Sequence, residues 1–235
     1  MRIKLYKPFE HWYHGGTIWL ISDTHFEDPD CKVMSNCWPT PEEQVKLINK
    51  FVGKNDTLIH LGDVGNHEWI SKLKGYKVLL LGNHDKGKSN YDKLYSSGLD
   101  GKLLYQSANK KDVEEFNEHY FWDYNKKPYI IDNGLFDEVY EGPLFINEKI
   151  CLSHERVHLK FGINIHGHEH GNFNMGSTAS YYGHENHYES AELNITSNLR
   201  EFKPLRLDDL INGLKVTDIH RITINKATER LKNAN

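Results

Sequence analysis

The sequence of 235 residues predicts an α/β fold built around a parallel sheet. Five short apolar runs, each of the length of a buried strand, recur along the chain. Helical segments separate the first three runs, and a strand–helix–strand succession is typical of parallel βαβ units. Each run ends in a polar cluster, and open α/β sheets bind ligands beyond the carboxyl ends of their strands. We therefore expect the five clusters to meet at one edge of the fold.

The runs and their clusters alternate in chain order. The runs are residues 18–21, 58–61, 78–81, 150–152 and 163–166. The clusters after them are Asp23-Thr24-His25, Gly62-Asp63, Gly82-Asn83-His84-Asp85, Ser153-His154 and Gly167-His168-Glu169-His170. A single histidine in a strand is more often a hydrogen-bonded core residue, and a single aspartate after glycine is more often part of a turn. Carboxylates, an amide and imidazoles that converge after five strands instead indicate a dinuclear metal site.

The first helix is predicted from a start signal at Thr40. Thr40 fits an N-cap, Pro41 fits the first helical position, and Glu43 completes a capping box. Apolar residues at 45, 48, 51 and 52 then fall on one face, and Gly53 is expected to end the helix. Residues 68–73 predict a second, short helix before the third strand.

The pattern is less regular after Asp85. Residues 86–90 indicate a polar loop, and residues 91–95 are predicted to be helical. A strand is expected at 192–198, and residues 215–224 predict another. We interpret the chain as a single domain over residues 1–235.

The composition is that of an ordinary soluble globular protein, with 38% hydrophobic and 26% charged residues. The net charge of −4 gives no general electrostatic reason to bind nucleic acid. No run approaches the ~20 apolar residues of a membrane span, and residues 1–10 lack the apolar segment of a secretory signal. The three cysteines lack zinc-site spacing, which favours reduced thiols. We therefore expect a cytoplasmic protein with no membrane partner.

The succession of clusters resembles the calcineurin-like metallophosphoesterases, in particular their small single-domain bacterial and phage-type members. The motifs Asp-x-His, Gly-Asp, Gly-Asn-His-Asp, His and Gly-His-x-His carry the resemblance, which extends from Ile18 to about Leu210. It implies an α/β sandwich of two mixed β-sheets flanked by helices, with a strand at 136–140 and a closing strand and short helix over 201–210. Relative to small members of the family, the chain has an aromatic-rich insertion at about 99–135 and a C-terminal extension at about 214–235. The resemblance also implies a hydrolase that acts on phosphoric ester bonds and uses two divalent metal ions.

Seven residues match the metal ligands of that family. Asp63 matches the bridging carboxylate, and two divalent ions about 3.5–4 Å apart do repel strongly enough to need an anionic oxygen between them. The other ligands implied are Asp23, His25 and His170 for one ion, and Asn83, His154 and His168 for the other. This mixed oxygen and nitrogen set favours Mn²⁺, with Fe, Zn²⁺ or Ni²⁺ as alternatives, over Ca²⁺ or Mg²⁺ alone.

Two ligand pairs have a spacing of two residues, Asp23 with His25 and His168 with His170. Side chains at this spacing point the same way from an extended backbone. We therefore expect each pair to face the metals from an extended segment.

His84 and Asp85 are the predicted catalytic residues. By resemblance, His84 steadies the phosphate and protonates the leaving oxygen, and we expect Asp85 to fix the tautomer of the His84 ring. The reaction implied is attack on the phosphorus of a mono- or diester by a metal-bridging hydroxide. Among the remaining histidines, His166 is a candidate to support the ligands, His60 is expected to pack in its strand, and His67 is expected in a loop or at the surface.

Two other functions stay open, a non-catalytic scaffold of the same fold and a nuclease that uses the same site. The complete ligand set argues against the scaffold. The acidic charge balance, without a basic stripe interleaved with aromatic residues, favours a small phosphate-ester or nucleotide-like substrate over nucleic acid. The insertion is either a helical excursion packed on the core or a cap that selects a substrate or partner. The sequence does not indicate the physiological substrate or the oligomeric state.

Overall fold

The computed structural model describes residues 2–29, 31, 38–85, 92–96, 127–131, 135–170, 179–184 and 187–214. Its strands are β1 (Ile18–Ile21), β2 (Thr57–His60), β3 (Tyr76–Leu80), β4 (Asp92–Ser96), β5 (Lys127–Ile131), β6 (Glu138–Tyr140), β7 (Leu144–Phe145), β8 (Ile150–Leu152), β9 (Gly162–His166), β10 (Ala179–His184), β11 (His187–Asn194) and β12 (Leu205–Arg206). Its α-helices are α1 (Pro41–Phe51) and α2 (Leu207–Asn212), and 3₁₀ helices cover Lys7–Tyr13, His67–Lys72 and Ser197–Arg200.

The strands form two mixed sheets, as the resemblance implied. The first has the order β12-β1-β2-β3-β6-β5-β4, and the second has the order β10-β11-β9-β8-β7. In the first sheet, the four adjacent strands β1, β2, β3 and β6 are all parallel to one another. In the second sheet, β8, β9 and β11 form a parallel set. The carboxyl ends of two parallel sets are thus available to build one site.

The core lies between the two sheets. Leu20 and Ile59 of the first sheet share a buried cluster with Leu152 and Ile165 of the second. Alternate side chains of β1, β2 and β3 lie on the opposite face of the first sheet. There they pack against α1 and the 3₁₀ helix His67–Lys72, as Ile21 does. This alternation with a period of two explains why the first three apolar runs are continuous, because both faces of these strands are covered.

The helical layer has the predicted start signals. The Thr40 hydroxyl accepts a hydrogen bond from the Glu43 backbone N–H at 3.3 Å, and the Glu43 carboxylate accepts one from the Thr40 N–H at 2.9 Å. α1 buries Ile48, and the 3₁₀ helix His67–Lys72 buries Ile70, both in the cluster beneath the first sheet. Both predicted helices are therefore confirmed, the second as a 3₁₀ helix.

The structure corrects the sequence prediction in two places. Residues 91–95 were predicted to be helical, but Asp92–Ser96 form β4, which pairs with β5 in antiparallel register. Pairing across a sheet overrides local helix propensity in this segment. β11 ends at Asn194, and a 3₁₀ helix begins at Ser197 where the strand was predicted to continue.

Two predicted features lie mostly outside the described residues. β5 is the described element of the predicted insertion at about 99–135, and residues 97–126 and 132–134 are outside the described ranges. The strand predicted at 215–224 also lies outside them. In the part of the chain that the structure describes, no helix combines the length and the apolar character that crossing a bilayer requires.

His60, the last residue of β2, is buried and hydrogen-bonded on both ring nitrogens. The Gly62 N–H donates to Nδ1 at 3.1 Å, and Nε2 lies 2.9 Å from the Thr24 hydroxyl, which donates to the Val64 carbonyl at 3.0 Å. The neutral ring therefore carries its hydrogen on Nε2, and a second proton would face the Gly62 N–H. Burial lowers the pKa of His60 to about 4, although the charge of Asp85 opposes the change.

We predict that this histidine destabilises the fold in acid. Between pH 6.5 and about 4 the unfolded chain protonates His60 and the folded chain does not, so stability falls as the pH falls, by up to about 3 kcal/mol. Urea unfolding in the presence of a chelator should show a shallower pH dependence for His60→Gln than for wild type. Identical slopes for wild type and His60→Gln would contradict the prediction.

Candidate metal centre

The Asp63 carboxylate lies at the centre of the converging clusters. Its Oδ2 is 3.3 Å from Nε2 of His154 and 3.7 Å from Nε2 of His25. Its Oδ1 accepts a hydrogen bond from the backbone N–H of His84 at 2.9 Å. Asp63 is 1% exposed. One buried oxygen of Asp63 thus faces residues from both sheets, as a bridging ligand must.

Asp23, His25 and His170 form the buried half of the site. Their ligand atoms lie within 4.8 Å of one another. Nε2 of His170 is 3.3 Å from Oδ1 of Asp23 and 3.3 Å from Nε2 of His25. The two oxygens of Asp23 also accept the backbone N–H of His168 at 3.1 and 3.0 Å, which fixes the orientation of the carboxylate.

The other half of the site contains Asp63, His154, His168 and Asn83. The ligand atoms of the first three lie within 4.8 Å of one another. Oδ1 of Asn83 is 2.8 Å from Nε2 of His154 and 3.1 Å from Nδ1 of His168. Asn83 and His168 are exposed, whereas the Asp23 and His25 side chains are buried. The structure therefore brings all seven predicted ligands together, in a site that opens to solvent on this side.

The backbone that carries these side chains is strained, which corrects the expectation of extended segments. Asp23, His25, Asp63 and His168 all have positive φ angles, of 56°, 43°, 56° and 66°. Residues other than glycine adopt this conformation rarely, and such outliers concentrate at functional sites. Left-handed turns, and not strand alternation, aim the two spaced pairs at the centre.

Glycines allow the segments to approach closely. A Cβ atom on Gly82 would collide with the carboxylate of Asp63, and one on Gly167 would collide with the side chains of Ser22 and Asp23. These contacts explain why the Gly-Asn and Gly-His pairs in the sequence begin with a residue that has no side chain.

Acceptors outside the centre fix the tautomers of three of its imidazoles. Each Nδ1 faces an oxygen: His25 faces Asp28 at 2.8 Å, His170 faces Asn198 at 3.2 Å, and His154 faces the Leu61 carbonyl at 2.8 Å. The amide of Asn198 is oriented by its other bond, in which Nδ2 donates to the His170 carbonyl at 2.9 Å. In the neutral rings, Nδ1 therefore carries the hydrogen and Nε2 presents a lone pair.

These lone pairs point at other acceptors. Nε2 of His25 faces Nε2 of His170, and Nε2 of His154 faces the Asp63 carboxylate and the Asn83 oxygen. Acceptors at this distance repel unless a cation lies between them, so the donor set fits divalent metal ions. Imidazole and carboxylate donors of this kind suit Mn²⁺, Fe, Zn²⁺ and Ni²⁺.

Without metal, protons take the place of the cation. Burial would lower the pKa of His154 and of His170, but hydrogen bonds to Asp63 and Asp23, together with the charges of these carboxylates, outweigh it and raise both values. Burial would likewise raise the pKa of Asp23, but the hydrogen bond and charge of His170 and the charge of His154 hold it below its ordinary value. The centre thus attracts positive charge from either source.

Asp85 does not have the partner that we predicted. Its buried carboxylate accepts hydrogen bonds from the backbone N–H groups of Asp63 at 2.8 Å, Gly82 at 2.9 Å and Val64 at 3.2 Å, and lies 3.1 Å from Nε2 of His67. Burial alone would raise its pKa, but the bonds from His67 and Gly82 hold the pKa well below its usual range. Asp85 thus fixes the loop that carries Asp63, and not the ring of His84. His67 is buried with it and begins a 3₁₀ helix, contrary to our expectation of a loop or surface residue.

His84 lies at the exposed rim of the centre. Its ring centroid is 5.5 Å from that of His25. Its backbone N–H donates a hydrogen bond to Oδ1 of Asp63, so that Oδ2 is the carboxylate oxygen that faces the other candidate ligands. His166 is buried, as a supporting residue would be, but its Nδ1 faces the Gly167 carbonyl at 2.9 Å and not a ligand side chain.

Three residues that support the centre lie outside the recognised motifs. Trp38 places its ring 5.9 Å from that of His25 and 5.8 Å from that of His170, and its Nε1–H donates to the Thr24 carbonyl at 3.3 Å. Asn198 orients the His170 ring through its Nδ1, and Asp28 orients the His25 ring in the same way. Only Asp28 had a local signal, because an acid three residues after a histidine can meet it in a turn. The other two are distant in sequence from their partners.

The chain matches a family model and is similar to a solved structure. The family model described as calcineurin-like phosphoesterase matches residues 16–172. A crystal structure of a protein of unknown function from Aquifex aeolicus is similar, with 19% sequence identity over 84% of this chain and 99% of that chain and a TM-score of 0.48. No curated protein matches the chain.

We predict that the Asp85 carboxylate is needed to hold the Asp63 loop. Asp85→Asn replaces one accepting oxygen with a donor that faces backbone N–H groups, which should lower stability by about 1–3 kcal/mol. Urea unfolding in the presence of a chelator measures this loss without a contribution from bound metal. The exposed variant Asp209→Asn should leave stability unchanged, and an equally small effect for Asp85→Asn would contradict the role assigned to it.

Proposed function

Because this chain belongs to the calcineurin-like phosphoesterase family, we propose that it is a dinuclear metal-dependent hydrolase of phosphate mono- or diesters. The observation that supports two metals is the position of Oδ2 of Asp63, within 3.7 Å of His25 and 3.3 Å of His154. Asp23, His25 and His170 would hold one ion, and Asn83, His154 and His168 the other, with Asp63 between them. We propose that both ions are Mn²⁺, with Fe, Zn²⁺ or Ni²⁺ as alternatives.

When bound, two such ions neutralise the charge of the phosphoryl group and lower the pKa of water. The residues of the chain supply the rest. The buried half of the site keeps its carboxylates and imidazoles away from bulk water, which strengthens their interaction with charge. The exposed side, at Asn83, His84 and His168, gives a phosphate ester access. His84, which is exposed at this rim, would donate a proton to the leaving oxygen.

The proposed substrate is a small phosphate ester or a nucleotide-like molecule. The net charge of −4 opposes association with a polyanion, which favours this class over nucleic acid. The retention of all seven ligand side chains favours an enzyme over a scaffold. We also propose a cytoplasmic location, because the three cysteines of the sequence lack zinc-site spacing, which favours reduced thiols.

The first test removes the metals and the bridge. A chelator should abolish hydrolysis of 4-nitrophenyl phosphate or its bis-ester, and Mn²⁺ should restore it. Asp63→Asn should lose bound metal, measured by elemental analysis, together with activity, because the variant lacks the shared anionic oxygen. Asp209→Asn should retain both. A metal-loaded wild type that is inactive on monoesters, diesters and nucleotides would contradict the proposed function.

The second test separates metal binding from proton transfer. His84→Ala should retain the metal content of wild type and lose about 10²–10⁴-fold in turnover, because the proton donor is missing. The loss should be smaller for an aryl ester, whose leaving oxygen needs no proton, than for an alkyl ester. His158→Ala is the control for an exposed histidine that pairs with Glu192. Unchanged turnover in His84→Ala on both esters would remove His84 from this role.

A further inference from the structure

A second cluster of metal-binding side chains lies behind His25, on the side away from the dinuclear centre. One ligand atom each of His25, Asp28 and Cys31 lies within 4.8 Å of the other two, and Nδ1 is the His25 nitrogen that faces Asp28. We propose that these three residues form a separate site for a thiophilic divalent cation of the Zn²⁺ class. The dinuclear centre of the proposed function uses Nε2 of His25, so one imidazole serves two sites.

The local backbone brings the three side chains together. The Asp28 N–H donates to the His25 carbonyl at 3.1 Å, and the Cys31 N–H donates to the Asp28 carbonyl at 3.3 Å. Two successive turns of this kind place residues spaced by three on one side of the segment. Sγ of Cys31 lies 3.5 Å from the His25 carbonyl oxygen, and Nδ1 of His25 lies 2.8 Å from Oδ2 of Asp28. No loop closure is needed to assemble the ligands.

The chemistry of this set differs from that of the dinuclear centre. The cluster contains a sulfur, whereas the seven residues of the centre supply only oxygen and nitrogen. Thiolate with imidazole and carboxylate is a ligand set for Zn²⁺ and not for Mn²⁺ or Mg²⁺. The His25 and Cys31 side chains are buried, and 16% of the Asp28 side chain is exposed to solvent.

Binding is a simple exchange of protons for metal. The cation forms bonds to Sγ, Nδ1 and a carboxylate oxygen, the thiol proton passes to solvent, the hydrogen of the neutral ring moves from Nδ1 to Nε2, and no electrons are transferred. A cation on Nδ1 draws electron density from the ring and repels a cation on Nε2. Occupancy of this site and loading of the dinuclear centre must therefore oppose each other, by the same factor in both directions.

Cadmium absorbance tests this inference directly, because the charge-transfer band of Cd²⁺ with thiolate reports only a metal–sulfur bond. Metal-free wild type titrated with Cd²⁺ should show a band that saturates at the intensity of one Cd²⁺–thiolate bond per chain, whatever amount of Cd²⁺ the dinuclear centre also binds. Cys31→Ser should lose the band, and Cys37→Ser and Cys151→Ser should retain it. Asp28→Asn should raise the apparent Kd by roughly tenfold or more. Prior loading with Mn²⁺ should raise the wild-type Kd as well.

The inference is overturned if wild type shows no band, if Cys31→Ser retains it, or if Asp28→Asn binds Cd²⁺ as wild type does. Thermal unfolding followed by circular dichroism confirms that each variant is folded. The readout does not depend on hydrolysis, so an inactive protein with the Cys31-dependent band would refute the proposed function alone. An active protein without the band would refute this site alone.

Discussion

The candidate metal centre depends on hydrogen-bond acceptor atoms whose lone pairs face one another. Nε2 of His25 and Nε2 of His170 lie 3.3 Å apart, and Oδ2 of Asp63 faces Nε2 of His154 at the same distance. Asp28, Asn198 and the Leu61 carbonyl hold the hydrogens of three rings on the outer nitrogens, so inward lone pairs converge on a space that only positive charge can stabilise. A protein core tolerates such an arrangement only when a cation compensates it.

The fold supplies the constraint that holds these groups together. Parallel strands of both sheets end at the same edge, and left-handed turns at Asp23, His25 and Asp63 follow directly. Asp85 ties three backbone N–H groups of the adjoining loops with one buried carboxylate. The strain of the turns is compensated by this network and by the two packed sheets, a cost typical of preorganised sites.

The sequence predicted the structural features that depend on residues close to one another in the chain. Strand ends and the capping box at Thr40 follow from patterns within a few residues of one another. The identity of the seven converging side chains came from the resemblance of five short motifs to those of the calcineurin-like family. Features that depend on distant partners were not predictable in this way. The segment of β4 has local helix propensity, and the strand β5 that pairs with it lies more than 30 residues further along the chain, so the pairing is not visible in the local sequence. The roles of Asp85, Trp38 and Asn198 likewise depend on contacts between separate loops. The family match extends over residues 16–172, so Asn198 lies beyond it.

The measurement that tests the central claim most directly is the electron paramagnetic resonance spectrum of the protein loaded with two equivalents of Mn²⁺. Two ions that share Oδ2 of Asp63 lie about 3.5–4 Å apart and must be magnetically coupled. We therefore expect the broad signal of a coupled pair in wild type, and only isolated ions in Asp63→Asn. The six-line spectrum of isolated Mn²⁺ in the fully loaded wild type would contradict the shared carboxylate.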